Sequence, residues 1–122
     1  MYARIPVPDE APATVFAQHC ARGELAYQVA PDGSAVFPPR LAQPGTGEPL
    51  RWAVSARGGV VYSTTVVRRR GEEPIGIVLV TLDEGFRMMS TVIDRAPEDV
   101  AIGDRVEVRF RDGDNAPVFV IV

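Results

Sequence analysis

Apolar positions are densest between Ile75 and Leu82, where nearly every residue is hydrophobic. Such a run is too short for a membrane span and suits a β-strand buried on both faces. Asp83, Glu84 and Gly85 follow as a tight connection. Gly85 can take the positive φ that a short hairpin loop demands. Residues 86–93 form the returning arm, with a single charge at Arg87. Two strands alone are marginal in water, so further strands must flank this hairpin.

The rest of the chain supplies them. Residues 1–12 hold three prolines and little periodicity, and are expected as an extended arm. Residues 13–22 read as a short helix ending at Gly23, a typical C′ residue. Val15, Phe16, His19 and Cys20 form one apolar stripe along it. Residues 25–29 and 35–37 are candidate strands around a Pro31-Asp32-Gly33-Ser34 turn. Residues 40–49 contain two prolines and two glycines and read as loop. From Leu50 to Arg69 a long β-rich segment is interrupted at Arg57-Gly58-Gly59, where a bulge or sharp bend is expected. Within it Val60, Tyr62, Thr64 and Val66 fall on one side, and Val61, Ser63, Thr65 and Val67 on the other. Beyond the hairpin, Pro97-Glu98-Asp99 suits a helical turn. Residues 105–111 alternate, with Val106, Val108 and Phe110 facing inward. Residues 118–122 form the last strand. One long bent strand, a hairpin pair and a second pair match a five-stranded Greek-key barrel of the OB type. The chain therefore divides into an arm and helix (1–24), a small hairpin and loop (25–49) and an OB barrel (50–122). The fold class is mainly β.

Composition narrows the function. The chain has 122 residues, 46% apolar, with net charge −3, which suits one domain with a small appendage. All 13 basic residues are Arg, so lysine Schiff-base chemistry is excluded. Residues 50–122 carry 10 Arg against 11 acids, so the barrel lacks the basic field of a nucleic-acid binder. Cys20 is the one cysteine, so no internal disulfide and no thiolate cluster can form. A reducing, cytoplasmic setting fits. Neither a secretory h-region nor a run of about 20 apolar residues is visible.

Candidate chemistry is sparse. Arg68-Arg69-Arg70 is the one charge cluster. It reads as a solvated hairpin tip near Glu72 and Glu73, or as a docking point for phosphates such as those of coenzyme A. His19 and Cys20 are adjacent on a helix and point about 100° apart, so they do not form a nucleophile–base pair. Met88 and Met89 point to opposite faces of a strand, with one filling the core. Trp52, Tyr62 and Phe86 are possible base-stacking platforms, although the neighbours of Tyr62 and Phe86 favour core packing. No carboxylate pair has spacing suited to acid–base or metal work. Gly45, Gly47, Gly58 and Gly59 match no phosphate-cradling loop.

Several stretches together resemble one family. They are Leu25-Ala26-Tyr27-Gln28, Val36-Phe37-Pro38-Pro39-Arg40, Leu50-Arg51-Trp52, residues 59–67, Leu82-Asp83-Glu84-Gly85-Phe86-Arg87 and residues 102–108. The family comprises small bacterial and archaeal proteins with an N-terminal helix, a rubredoxin-like zinc ribbon and a C-terminal OB-fold. They travel with thiolases and related acyl-CoA enzymes. The family's two cysteine pairs would fall near Ala30 and Asp32-Gly33, and near Gln43 and Thr46, and none of these is cysteine here. A structural zinc contributes on the order of 10 kcal/mol to a small finger. A metal-free ribbon must therefore pack on the barrel, lean on a partner or stay mobile. The resemblance implies a non-catalytic accessory subunit of an acyl-CoA-processing complex, partnered by a thiolase-like enzyme. The helix and ribbon remnant are the expected docking elements, since neither has enough apolar mass to stand alone; Arg68, Arg69 and Arg70 are candidates for coenzyme A phosphates, and the missing cysteines predict no zinc, with no other cofactor expected. Two rival readings are a single-stranded nucleic-acid binder and a free-standing acyl-CoA binder or enzyme.

Overall fold

The computed structural model describes residues 11–122. The expected arm lies largely outside these residues. Helix α1 spans Pro12–Ala21, with Pro12 in its first turn, where a missing N–H costs nothing. Gly23, at φ 75°, ends it by donating its N–H to the Cys20 carbonyl at 2.9 Å. No helix among the described residues is long and apolar enough to cross a membrane.

Eight strands follow in two sheets. The first holds β1 (Ala26–Val29), β2 (Ala35–Val36) and β3 (Arg51–Val54), in the order β2-β1-β3. The second holds β4 (Gly58–Val67), β5 (Ile75–Leu82), β6 (Arg87–Ser90), β7 (Arg105–Phe110) and β8 (Pro117–Ile121), in the order β6-β5-β4-β7-β8. β6 and β8 meet through a parallel bridge between Val92 and Phe119, which closes the wall into a barrel. A 3-10 turn at Pro97–Asp99 abuts Gly76 of β5. The mainly β, OB-type architecture expected from the strand order is present.

Two expectations change. Residues 51–54 do not begin the long barrel strand. They pair with β1 in register Ala26↔Val54 to Val29↔Arg51, giving the small hairpin a third strand. The chain breaks at 55–57, where Arg57 takes φ 80°. The bulge, in turn, lies at Tyr62 and not at the glycines, because Val61 pairs with Val80 and Ser63 with Leu79. Tyr62 is therefore turned outward and is 51% exposed, against the expectation of a core role. Gly59 answers a close approach: a Cβ there would lie 2.7 Å from Val80 Cγ1 and 2.8 Å from the Thr81 carbonyl.

The barrel core holds Val61, Val78, Val80, Leu82, Met88, Val106, Val108 and Phe119, all buried. Met89 points outward, opposite Met88. β5 is thus buried on one face, not two: Ile75 on the other face is 54% exposed, because no second layer of the described residues lies there. The small sheet packs on the barrel through aromatic rings. Phe86, buried after the β5–β6 turn, stacks on Tyr27 at 4.9 Å and on Phe37 at 5.0 Å. Phe16 of α1 meets the edge of Phe37 at 5.7 Å, and Leu25 is fully buried beside the core. The small sheet is therefore held by packing on the barrel. Phe86→Ala removes both stacks and leaves a cavity, so it should cost about 3–5 kcal/mol in denaturant unfolding. Met89→Ala should cost under about 0.5 kcal/mol.

Candidate functional site

The joint between ribbon and barrel concentrates the polar contacts of the chain. Glu84, in the β5–β6 turn, accepts hydrogen bonds from the Ser55 hydroxyl at 2.7 Å and the Ala56 N–H at 2.8 Å. The same hydroxyl accepts the Arg57 N–H at 2.8 Å. The Arg57 guanidinium donates to the Gly23 carbonyl and lies 5.7 Å from the Phe110 ring centre. Asp83, beside Glu84, binds Arg105 of β7 bidentately, one contact at 2.7 Å. That hydrogen bond holds the Asp83 carboxyl below its ordinary pKa. One turn therefore fastens the chain break at 55–57 and ties β5 to β7.

The positions corresponding to the cysteine pairs are hydrogen-bonded turns. In the first, Gly33 N–H donates to the Ala30 carbonyl at 2.8 Å, and Asp32 accepts the Ser34 N–H and hydroxyl at 2.9 and 2.6 Å. In the second, Gly47 N–H donates to the Gln43 carbonyl at 2.9 Å, and the Thr46 hydroxyl reaches Gln43 Oε1 at 3.2 Å. Between them, the buried Gln28 amide clamps Arg40. Its Nε2 donates to the Arg40 carbonyl and its Oε1 accepts the Arg40 N–H, both at 2.7 Å. These donors do not fit tetrahedral zinc, which takes thiolate, imidazole or carboxylate: of the residues at those positions only Asp32 qualifies, and it serves Ser34. Among the described residues no three His, Cys, Asp or Glu side chains converge.

The residues singled out by sequence are dispersed. Arg68, Arg69 and Arg70 lie at the β4–β5 turn. Arg68 pairs with Glu98 at 2.6 Å, across space, and not with the nearby Glu72 or Glu73. That contact lowers the Glu98 pKa. Arg69 and Arg70 are exposed and form no ion pair among the described residues. His19 Nδ1 donates to Glu24 Oε1 at 2.8 Å, and the ring stacks on Trp52 at 5.9 Å. Cys20 is buried, and burial pushes its thiol pKa up. Of the three possible base platforms, Phe86 is core, Trp52 is stacked on His19, and Tyr62 carries the Arg87 guanidinium 3.8 Å from its ring centre. The carboxylates that shift, at Glu24, Asp32, Asp83, Glu98 and Asp114, all shift downward, the opposite of a general acid's need. Gln28 and Glu84 escaped sequence reading. Both lie within family-like stretches, Gln28 at the end of Leu25–Gln28 and Glu84 in Leu82–Arg87, and that placement is the one signal that could have found them.

Two shallow clefts remain. One, about 250 Å³, lies between the first ribbon turn and Leu50. The other, about 260 Å³, lies between α1 and the β7–β8 turn, with Phe16, Cys20 and Asp114 on its walls. Gln28→Ala leaves the Arg40 backbone groups unpaired and should destabilise the chain by about 1–3 kcal/mol, read by thermal unfolding. Asp114 is held to a pKa of about 2, chiefly by its hydrogen bond from Arg111. Its folded pKa lies below the unfolded value, so its stabilisation is complete above about pH 4 and is lost as pH falls towards 2. Asp114→Asn should flatten the melting temperature against pH in that window.

Comparison with known proteins places this geometry. The family described as the ChsH2 C-terminal OB-fold domain matches residues 52–111. A DUF35 domain-containing scaffold protein of Methanothermobacter thermautotrophicus is 32% identical over 89 residues, covering 65% of this chain and 65% of that protein. One from Methanocaldococcus jannaschii is 36% identical over 69 residues, 49% of each. The match thus spans somewhat under two thirds of the first relative and about half of the second. A solved chain of the Ltp2-ChsH2(DUF35) aldolase superposes with a TM-score of 0.78 at 24% identity, over 97% of this chain and 98% of that one, a likeness of fold. With a helix, a three-stranded sheet and an OB barrel in this order, the chain is similar to the DUF35 scaffold proteins and carries an OB-fold domain of the ChsH2 C-terminal type.

Proposed function

We propose that the chain is a non-catalytic accessory subunit of an acyl-CoA-processing complex, working beside a thiolase-like or aldolase-class enzyme. The observation that carries this reading is the use of its polar side chains. Gln28, Asp83, Glu84 and His19 are all engaged in holding ribbon, helix and barrel together. The names of the relatives, scaffold protein in two cases and a chain of the Ltp2-ChsH2(DUF35) aldolase in another, support the same role.

Helix α1 directs its apolar stripe at its own ribbon through Phe16, so it is not the free docking element its sequence suggests. Arg69 and Arg70 are the groups best placed for coenzyme A phosphates, since both are exposed and without ion pairs among the described residues. The ribbon works without zinc, its turns closed by hydrogen bonds. The nucleic-acid reading is weaker: an OB surface that binds single strands offers open aromatic faces, and Tyr62 is covered by Arg87.

Co-expression with a thiolase- or aldolase-class enzyme from the same genome tests the reading. The two should purify together in stoichiometric amounts, and the chain should contain no stoichiometric zinc. Calorimetry with acetyl-CoA should give weak binding to the chain alone and tighter binding to the complex. Arg69→Ala with Arg70→Ala should weaken the latter about tenfold, or about 1.4 kcal/mol. Turnover of an acyl-CoA by the isolated chain would overturn it.

A further inference from the structure

Among the described residues, the outer wall around β5 carries an apolar stripe that nothing covers. Val78, Val80 and Leu82 of β5 face the core, so Ile75, Ile77 and Leu79 face out. The register sets Leu79 between Ser63 and Met89, and Ile75 beside Val67. Met89 is 68% exposed and Ile75 54%, and Tyr62 stands at the same face on its bulge. The Pro97–Asp99 turn meets β5 on the opposite side, at Gly76. One apolar face suffices to build the barrel. A second, running along β5 from Ile75 to Leu79 and flanked by Val67 and Met89, with Ser63 and Thr65 of β4 beside it, serves no packing among the described residues.

Guanidinium groups stand at both ends of the stripe. Arg87 lies over Tyr62 and donates to the Thr81 hydroxyl at 3.2 Å. Arg69 and Arg70 occupy the turn that follows Val67. None of the three has a carboxylate partner among the described residues. A second copy stacked face to face would set Arg against Arg, whether the strands ran parallel or antiparallel. Like charges so placed disfavour self-association. A single strand of nucleic acid would meet aliphatic side chains and one already covered ring.

We infer that this wall docks a different protein, one presenting an aliphatic patch with Asp or Glu at both ends. Resting on the accessory-subunit reading, the inference names that protein as the enzyme subunit itself. The test uses the full chain and the thiolase- or aldolase-class enzyme co-expressed with it. Met89→Asp with Ile75→Asp should weaken the complex at least 100-fold, while the melting temperature of the isolated chain stays within a few degrees. Leu41→Asp, at an exposed site on the ribbon loop, should leave binding unchanged. Equal binding by wild type and the double variant would overturn the docking face and leave the accessory role standing. If the wild type fails to bind the enzyme, both fall. A homodimer of the isolated chain in sedimentation, dissolved by Met89→Asp, would assign the wall to self-association instead. Binding of an oligothymidine probe that Met89→Asp abolishes would assign it to nucleic acid.

Discussion

Phe86 lies between Tyr27 and Phe37, with the two ring centres about 5 Å from its own. Through that one side chain the barrel and the small sheet share a core. A three-stranded sheet with strands of four, two and four residues has too little apolar surface to stand alone. Burying a Phe side chain contributes about 1.5–3 kcal/mol, and each aromatic pair adds about 0.5–1.5. Energies of that size are large against the marginal stability of a small domain. Much else follows from the same contact. The β5–β6 turn must sit under the ribbon, which brings Glu84 to the chain break at 55–57 and Asp83 to Arg105.

The small sheet is also closed by hydrogen bonds. Its two turns are each closed by a backbone bond and a side-chain oxygen, and Gln28 joins the strand to the loop with two bonds at 2.7 Å. A buried amide with both ends satisfied avoids the desolvation penalty that an unpaired one would carry. Hydrogen bonds of this kind are each worth much less than a bound zinc, so the aromatic packing has to carry the rest.

The outer surface of the barrel tells a complementary story. The run from Ile75 to Leu82 is hydrophobic on both sides, the pattern of a strand covered twice. Among the described residues it is covered once. The bulge at Tyr62 adds to this by turning one large ring outward, where Arg87 lies over it. A protein built to assemble with another carries such a surface, and a self-sufficient monomer rarely does.

Local pattern alone determined a good part of this molecule. Alternation placed Val106 and Val108 inside, the chain direction at Gly85 and Gly23 followed from their positions beside apolar runs, and strand count with order pointed to an OB barrel. These succeed because side-chain period and turn chemistry are properties of a few consecutive residues. Tertiary structure alone decided the rest. Residues 51–54 have the same β-rich pattern whether they extend the barrel or edge the ribbon, and pairing with β1 settles it. Arg68 finds Glu98, 30 residues on, and not the acids four and five residues away, because the 3-10 turn packs against β4 and β5. Gln28 reaching Arg40, and Glu84 reaching Ser55, are contacts across folded space. Partners of this kind are chosen by which loops the packed core brings together, and that information is not carried by any one stretch of chain.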